Sequence, residues 1–363
     1  MLRRMVTSAV YHQSSRSSPE LTRRDPQNLL LARLSRSRVD AEIVRDIALT
    51  TAGLLNTRLG GPSVFPPQPN EVTNFAYGRL AWKTETGPNR YRRGMYTFSK
   101  RTAPYAGFSV FDAPSGEACS VRRERSNTPL QALTVMNDEV FVEAAQALAR
   151  RVVRKPSRNI NRRLDELLRM VLTRPPAPQE QNQMRDFLEN QLARFRSGQL
   201  QALVVAGERF KRWDFAKESH AWSSAQKCDV GVSADGQLKI KINESDSRVT
   251  TELRAPAGQA VVRLRARFLQ DAKPRLLWNS IDKPVAESES EYSNSASFDA
   301  QPNEWKRYSV AIRSESELVS LSFEPGSDKG EVEIDWIDLS YSHLPTLDTD
   351  VAELAAWTTL ARA

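Results

Sequence analysis

Histidine and cysteine are scarce in this sequence, with three of one and two of the other in 363 residues. His12, His220 and His343 are too few and too scattered to build a histidine-rich metal site. Cys119 and Cys228 stand far apart, which excludes a disulfide framework and a cysteine ligand set alike. The haem-attachment pattern of two cysteines followed by histidine is absent, so no haem is expected on this stretch of chain. Long apolar runs are missing too: none approaches the roughly eighteen residues of a helical membrane span. Met1–Met5 holds two arginines, yet Val6–Ser18 is mostly polar and is no apolar signal core, which leaves the compartment unassigned.

Hydrophobic residues make up 40% and charged residues 26%, the balance of a globular chain rather than a disordered one. The length allows about two or three domains. Net charge is +8, unevenly spread. Gly207–Ala363 holds 20 Lys and Arg against 26 Asp and Glu, whereas Met1–Ala206 holds 32 against 18. A basic first half suits an anionic partner, or a solvated surface with internal ion pairs. Nucleic acid is not expected, because no recognisable binding motif accompanies the charge.

The first half reads as helices around one long loop. Asp25 and Pro26 open a short helical stretch, and Val39–Leu59 places Ile43, Ile47, Ala48, Leu54 and Leu55 at near-helical spacing before Gly60-Gly61-Pro62 stops it. Ser63–Val121 has no sustained period, and ordered loops of such length are often functional. Thr128 and Gln131 then form a capping box around Pro129. Apolar stripes follow at Val140–Val152, Leu164–Val171 and Met184–Phe195.

Near Trp213 the period changes to two. Leu238, Ile240 and Ile242 alternate with Lys239 and Lys241; Val262, Leu264, Ala266 and Phe268 alternate with Arg263, Arg265 and Arg267. Further strands are expected over Trp305–Ile312, Leu318–Phe323 and Glu331–Tyr341, with a bulge where the apolar phase slips between Trp336 and Ile337. Many short strands without intervening helices argue for an antiparallel sandwich or jelly roll. The expected fold class is α+β multidomain: an all-α part with a long irregular loop over 1–206, a β-sandwich over 207–343, and a terminal helix over 344–363.

Several first-half stretches carry a family resemblance. They are Tyr11-His12-Gln13-Ser14-Ser15, Asp25-Pro26-Gln27-Asn28, Asp40-Ala41-Glu42-Ile43-Val44-Arg45-Asp46 and Gly60-Gly61-Pro62-Ser63-Val64. Further on come Tyr91-Arg92-Arg93, Lys100-Arg101-Thr102, Phe111-Asp112-Ala113-Pro114 and Arg125-Ser126-Asn127-Thr128-Pro129-Leu130-Gln131. Together they resemble planctomycete-specific domain one, a domain of unknown function that commonly follows planctomycete cytochrome c domains. His12 departs from the pattern, where an arginine is more usual. The resemblance covers about 1–197 and resumes at Val351, so it implies a sandwich inserted into the family domain. It also implies that the chain is truncated at both ends, that haem sits in upstream domains, and that the protein is periplasmic or in the cell envelope. It supplies no catalytic residues. The sandwich itself resembles jelly-roll carbohydrate-binding modules through Trp213-Asp214-Phe215, Trp222, Trp278, Trp305 and Glu333-Ile334-Asp335-Trp336-Ile337.

That likeness directs attention to aromatics, since sugar rings stack on aromatic faces beside hydrogen-bonding groups. Trp222, Trp278, Tyr292 and Trp305 are the candidates, against the common role of a sandwich tryptophan as core. Trp336 is read as core. Arg263, Arg265 and Arg267 form an outward row that suits acidic glycans, or an ordinary solvated face. Glu218, Asp335 and Asp338 are the candidate ligands for a structural calcium, which such modules often hold. In the helical half, Arg92, Arg93, Arg101, Arg122, Arg123 and Arg125 bracket the long loop. They either bind an anion or hold the loop through ion pairs with residues such as Glu42, Asp46 and Asp112. His12 beside Ser14 and Ser15 is no catalytic arrangement. The expected function is a non-catalytic binding and assembly fragment, with polysaccharide and other domains of the full-length protein as partners. The alternative is an enzyme domain acting through the arginine-rich loop together with haem domains elsewhere.

Overall fold

Alternation of small apolar and long charged residues makes strands only where one face can be buried, and the second half of the chain supplies that face twice. The computed structural model describes residues 1–68, 72, 82–154, 159–215, 221–282, 294–341 and 350–363. The strands are β1 (Glu208–Asp214), β2 (Ser223–Gln226), β3 (Cys228–Val232), β4 (Leu238–Ile242), β5 (Arg248–Ala255), β6 (Gly258–Phe268), β7 (Arg275–Ser280), β8 (Ser295–Ser297), β9 (Lys306–Ser314), β10 (Leu318–Glu324) and β11 (Gly330–Tyr341). They form an antiparallel sandwich. One sheet runs β3-β4-β11-β6-β9, with β1 beside the second half of β11; the other runs β2-β5-β10-β7-β8.

The two inner faces meet in one core that includes Trp213, Phe215, Trp222, Ile240, Leu264, Phe268, Phe323 and Ile337. Leu238, Ile240 and Ile242 of β4 are buried, as are Val262, Leu264, Ala266 and Phe268 of β6, so both strands present the expected face inward. Each of these side chains except that of Ala266 contributes about 1.5–3 kcal/mol on leaving water.

The helices are α1 (Leu2–Val6), α2 (Pro19–Arg24), α3 (Ala41–Ala52), α4 (Ala106–Val110), α5 (Pro129–Asn137), α6 (Glu139–Val153), α7 (Ile160–Leu172), α8 (Pro178–Ser197), α9 (Gln199–Ala206) and α10 (Val351–Arg362). Two compact units emerge: residues 1–50 with 55–140, and residues 51–54 with 141–363. The division between them falls at Val140. The reason is packing: α9 lies against β6 and β9, and the Gln146 amide of α6 donates to the carbonyls of Val205 and Gly207, each at 2.9 Å. The terminal α10 lies against α8 and α9 and buries Leu354, Trp357 and Leu360. The sandwich begins and ends on one step of a ladder, because Glu208 pairs with Tyr341.

The first unit is built around the long loop. Phe65 stacks on Phe98 at 4.8 Å, and Trp82 on Tyr105 at 5.9 Å. Asp46 of α3 accepts from the Gly94 amide at 2.6 Å, and a Cβ at Gly94 would lie 2.9 Å from the Glu42 carbonyl, so this close approach requires glycine. At the start of α5, Gln131 Oε1 accepts from the Thr128 amide at 3.4 Å, while its Nε2 donates to the Val110 carbonyl at 3.0 Å.

Candidate functional site

The outward face of the six-stranded sheet gathers the charged half of the alternating strands. Antiparallel register sets Glu333 of β11 directly opposite Arg267 of β6 on one side and Lys239 of β4 on the other. Arg267 Nε donates to Glu333 at 2.8 Å, and Lys239 pairs with the same carboxylate at 3.0 Å. Burial alone would push Glu333 up, but hydrogen bonds from Lys239 and Arg267 outweigh it and hold the carboxyl below its usual range. Arg265 pairs with Asp335 at 2.7 Å. Asp338, wholly buried, accepts from Arg263 at 2.8 Å and Arg209 at 2.7 Å. Its burial is likewise overcome by the charges of Arg263 and Arg209, so it too stays below the usual carboxylate range.

The row Arg263, Arg265 and Arg267 is no free cationic stripe, since carboxylates of the neighbouring strand are engaged with every member. Asp335 and Asp338 both pair with guanidinium groups, and Glu218 lies outside the described residues. Among the described residues no group of three His, Cys, Asp or Glu stands ready for a metal ion.

The aromatic candidates separate by burial. Trp222 is 1% exposed and meets Trp213 edge to face at 5.6 Å; Trp278 is 6% exposed and donates its indole N–H to the Arg313 carbonyl at 3.0 Å. Both belong to the core and offer no ring face. Tyr292 lies outside the described residues. Trp305, just before β9, is half-buried on the outward face, with Arg265 at 5.2 Å and Arg267 at 5.4 Å from its ring centroid. Both guanidinium groups come from one strand, two residues apart, so the ring lies across them. Such contacts contribute about 0.5–1 kcal/mol each at exposed sites.

A second ring was misread as core. Trp336 is half-buried, sits opposite Arg265 across the β11–β6 ladder, and has Arg212 of β1 at 4.7 Å from its centroid. The register shift falls between Ile334 and Trp336, so the extra residue of the bulge is Asp335. A bulge one position earlier than expected turns Trp336 outward and Ile337 inward. The phase slip in the sequence was the available signal.

The loop arginines do not converge. Arg92 is buried, donates to the carbonyls of Arg58, Gly60 and Pro62, and stacks on Tyr96 at 3.7 Å. Arg93 pairs with Asp46 at 3.5 Å, Arg123 with Glu42 at 2.7 Å, and Arg125 with Asp40 at 3.7 Å. Arg101 and Arg122 are exposed, with no ion pair among the described residues. Among the described residues the arginines tie the loop to α3 and to the turn at Gly60 and form no common anion pocket. Asp112, at φ 60°, accepts from the Ser126 amide and hydroxyl at 2.8 Å each, and also pairs with Arg38. Those Ser126 hydrogen bonds, with Arg38, hold it below the usual carboxylate range.

Residues 1–188 match the model of PSD1, described as a protein of unknown function (DUF1553). The chain belongs to this family. No curated protein matches it. Solved structures similar to this PSD1 chain include BiXyn10A CBM1 in its apo form, at 13% identity and TM-score 0.31, over 37% of this chain and 99% of that one. Another is the CBM22-1 xylan-binding domain of Xyn10C from Paenibacillus barcinonensis, at 12% identity and TM-score 0.32, over 38% and 97%. A third is the second N-terminal cellulose-binding domain of β-1,4-glucanase C from Cellulomonas fimi, at 18% identity and TM-score 0.28, over 36% and 92%.

Proposed function

We propose that this PSD1 chain is a non-catalytic binding and assembly unit whose sandwich holds polysaccharide on the outward face of the six-stranded sheet. The observation that supports it is Trp305, an aromatic ring kept partly in solvent and fixed from beneath by Arg265 and Arg267. A pyranose ring stacks on such a face with little ordering cost, because carboxylates already hold the guanidinium groups in place. Trp336 on Arg212 supplies a second ring on the same face, and Lys239, Glu333 and Asp335 border the two with donors and acceptors.

Since the arginines are paired, stacking rather than net charge carries this binding. The expectation that acidic chains are preferred is therefore replaced by one of salt-insensitive binding. The test uses the whole chain in affinity gels containing neutral xylan, neutral β-glucan or a sulfated polysaccharide. Retardation by a neutral polymer at both low and moderate salt, lost in Trp305→Ala, is the expected result. Unchanged retardation in a Trp305→Ala/Trp336→Ala double variant, or none in the parent, would sink the proposal. On the family resemblance, the unit belongs to a larger envelope-associated protein with haem domains elsewhere. A full reading frame lacking both an export segment and a haem motif would remove that context.

A further inference from the structure

The first forty residues combine two features that a free protein surface rarely shows together. The turn after α2 exposes three consecutive leucines, Leu29 at 77%, Leu30 at 80% and Leu31 at 51%. The turn is built to display them. Asp25, itself buried, accepts from the amides of Leu29 and Leu30, both at 2.8 Å. Arg33 donates to the carbonyls of Asp25 and Pro26 at 3.0 Å, and the Asn28 side chain bridges the Arg33 backbone. Asn28 and Leu31 take φ of 55° and 52°; for leucine this left-handed conformation is costly and has no glycine to relieve it.

Arginines are interleaved with the apolar residues throughout this stretch. Met1–Asp40 holds eight arginines, no lysine, and three acidic residues. Arg3, Arg4, Arg23 and Arg36 are all exposed.

We propose that this surface docks on an anionic lipid membrane, with Leu29–Leu31 entering the interface and the arginines meeting headgroups. Charge complementarity selects this occupant. A second copy would set one basic surface against another. A protein helix in a groove is anchored at every third or fourth position, whereas three adjacent leucines on one rigid turn suit a fluid apolar layer. Mixing of arginine with apolar side chains fits the headgroup boundary, where both environments lie within a few ångströms, and not the charge-depleted centre of a protein interface.

The test is flotation of the whole chain with phosphatidylcholine vesicles and with vesicles of equal phosphatidylcholine and phosphatidylglycerol. The anionic vesicles should retain at least about tenfold more protein than the neutral ones, with retention falling as salt rises. Leu29→Ser/Leu30→Ser should lower retention on anionic vesicles by about tenfold, and Arg23→Glu/Arg36→Glu should do so as well. Circular dichroism matching the parent confirms that each variant is folded. Absence of retention, or retention unaffected by the leucine pair, overturns the proposal. So does a change in sedimentation of the leucine variant without vesicle binding by the parent, which would assign the patch to contacts between copies.

Discussion

Asp338 shows how one residue organises a face. Its carboxylate is buried between Arg263 and Arg209, so it holds two guanidinium groups flat against the sheet. Removing the charge while keeping the shape, as in Asp338→Asn, takes the buried carboxylate away from both Arg263 and Arg209 at a partly buried site. We expect a loss of about 3 kcal/mol in urea unfolding, and a loss within error of zero would show that the pair contributes nothing. The pH dependence follows from the direction of the shift. A carboxyl held below its unfolded value adds stability above that value and loses it as pH falls through the lower folded one. The melting temperature of the parent should therefore drop below about pH 4, and the Asn variant should show a shallower drop.

At the scale of the element, β11 is two half-strands joined at Asp335. The first half pairs with β4 and the second with β1, while β6 follows both. Because Asp335 is the extra residue, deleting it leaves Ile334, Ile337 and Leu339 still facing the core. Deleting Glu333 instead shifts the first half by one position and turns Val332 outward. We expect the Asp335 deletion to express as soluble protein with a modestly lower melting temperature, and the Glu333 deletion to be insoluble. Equal behaviour of the two would contradict the assignment of the bulge.

The same strand explains what the sequence could and could not disclose. Phases of β4 and β6 were legible because each keeps a regular period against a buried face. Trp336 was not, because a bulge changes phase without changing composition, and its position depends on the partner strand. Trp222 and Trp278 look like Trp305 in one dimension; only the second sheet determines which rings are covered. The neutralising partners of Arg263, Arg265 and Arg267 lie about seventy residues away, and local pattern carries no trace of them. The loop arginines left two readings open, anion binding or ion pairs that hold the loop; the pairs of Arg93 with Asp46 and Arg123 with Glu42 follow the second, and only the fold brings those acceptors on α3 within reach.

For the second unit as a whole, the helix α10 is the closing piece. It follows the sandwich in sequence yet packs with α8 and α9 before it, and Arg163 of α7 pairs with Glu353 of α10. Contacts of such separation form late and fold slowly. Trp357, fully buried in α10, should cost about 3–5 kcal/mol when replaced by alanine, because the site cannot collapse completely. If the unit is one cooperative body, helical circular dichroism and tryptophan fluorescence of Trp357→Ala should shift to the same lower temperature. A fluorescence transition left in place would mean that the sandwich melts alone.

The pairing of Glu208 with Tyr341 also has a mechanical meaning. The strand that leads into the sandwich and the strand that leaves it run antiparallel, side by side, over Glu208–Asp214 and Trp336–Tyr341. Tension applied through a polymer held on the outward face would reach the helices along both strands at once. The hydrogen bonds between the two strands are then spared from being peeled open one at a time. On the proposed function, the same step of ladder that lets a sandwich interrupt a helical chain gives it a two-stranded root.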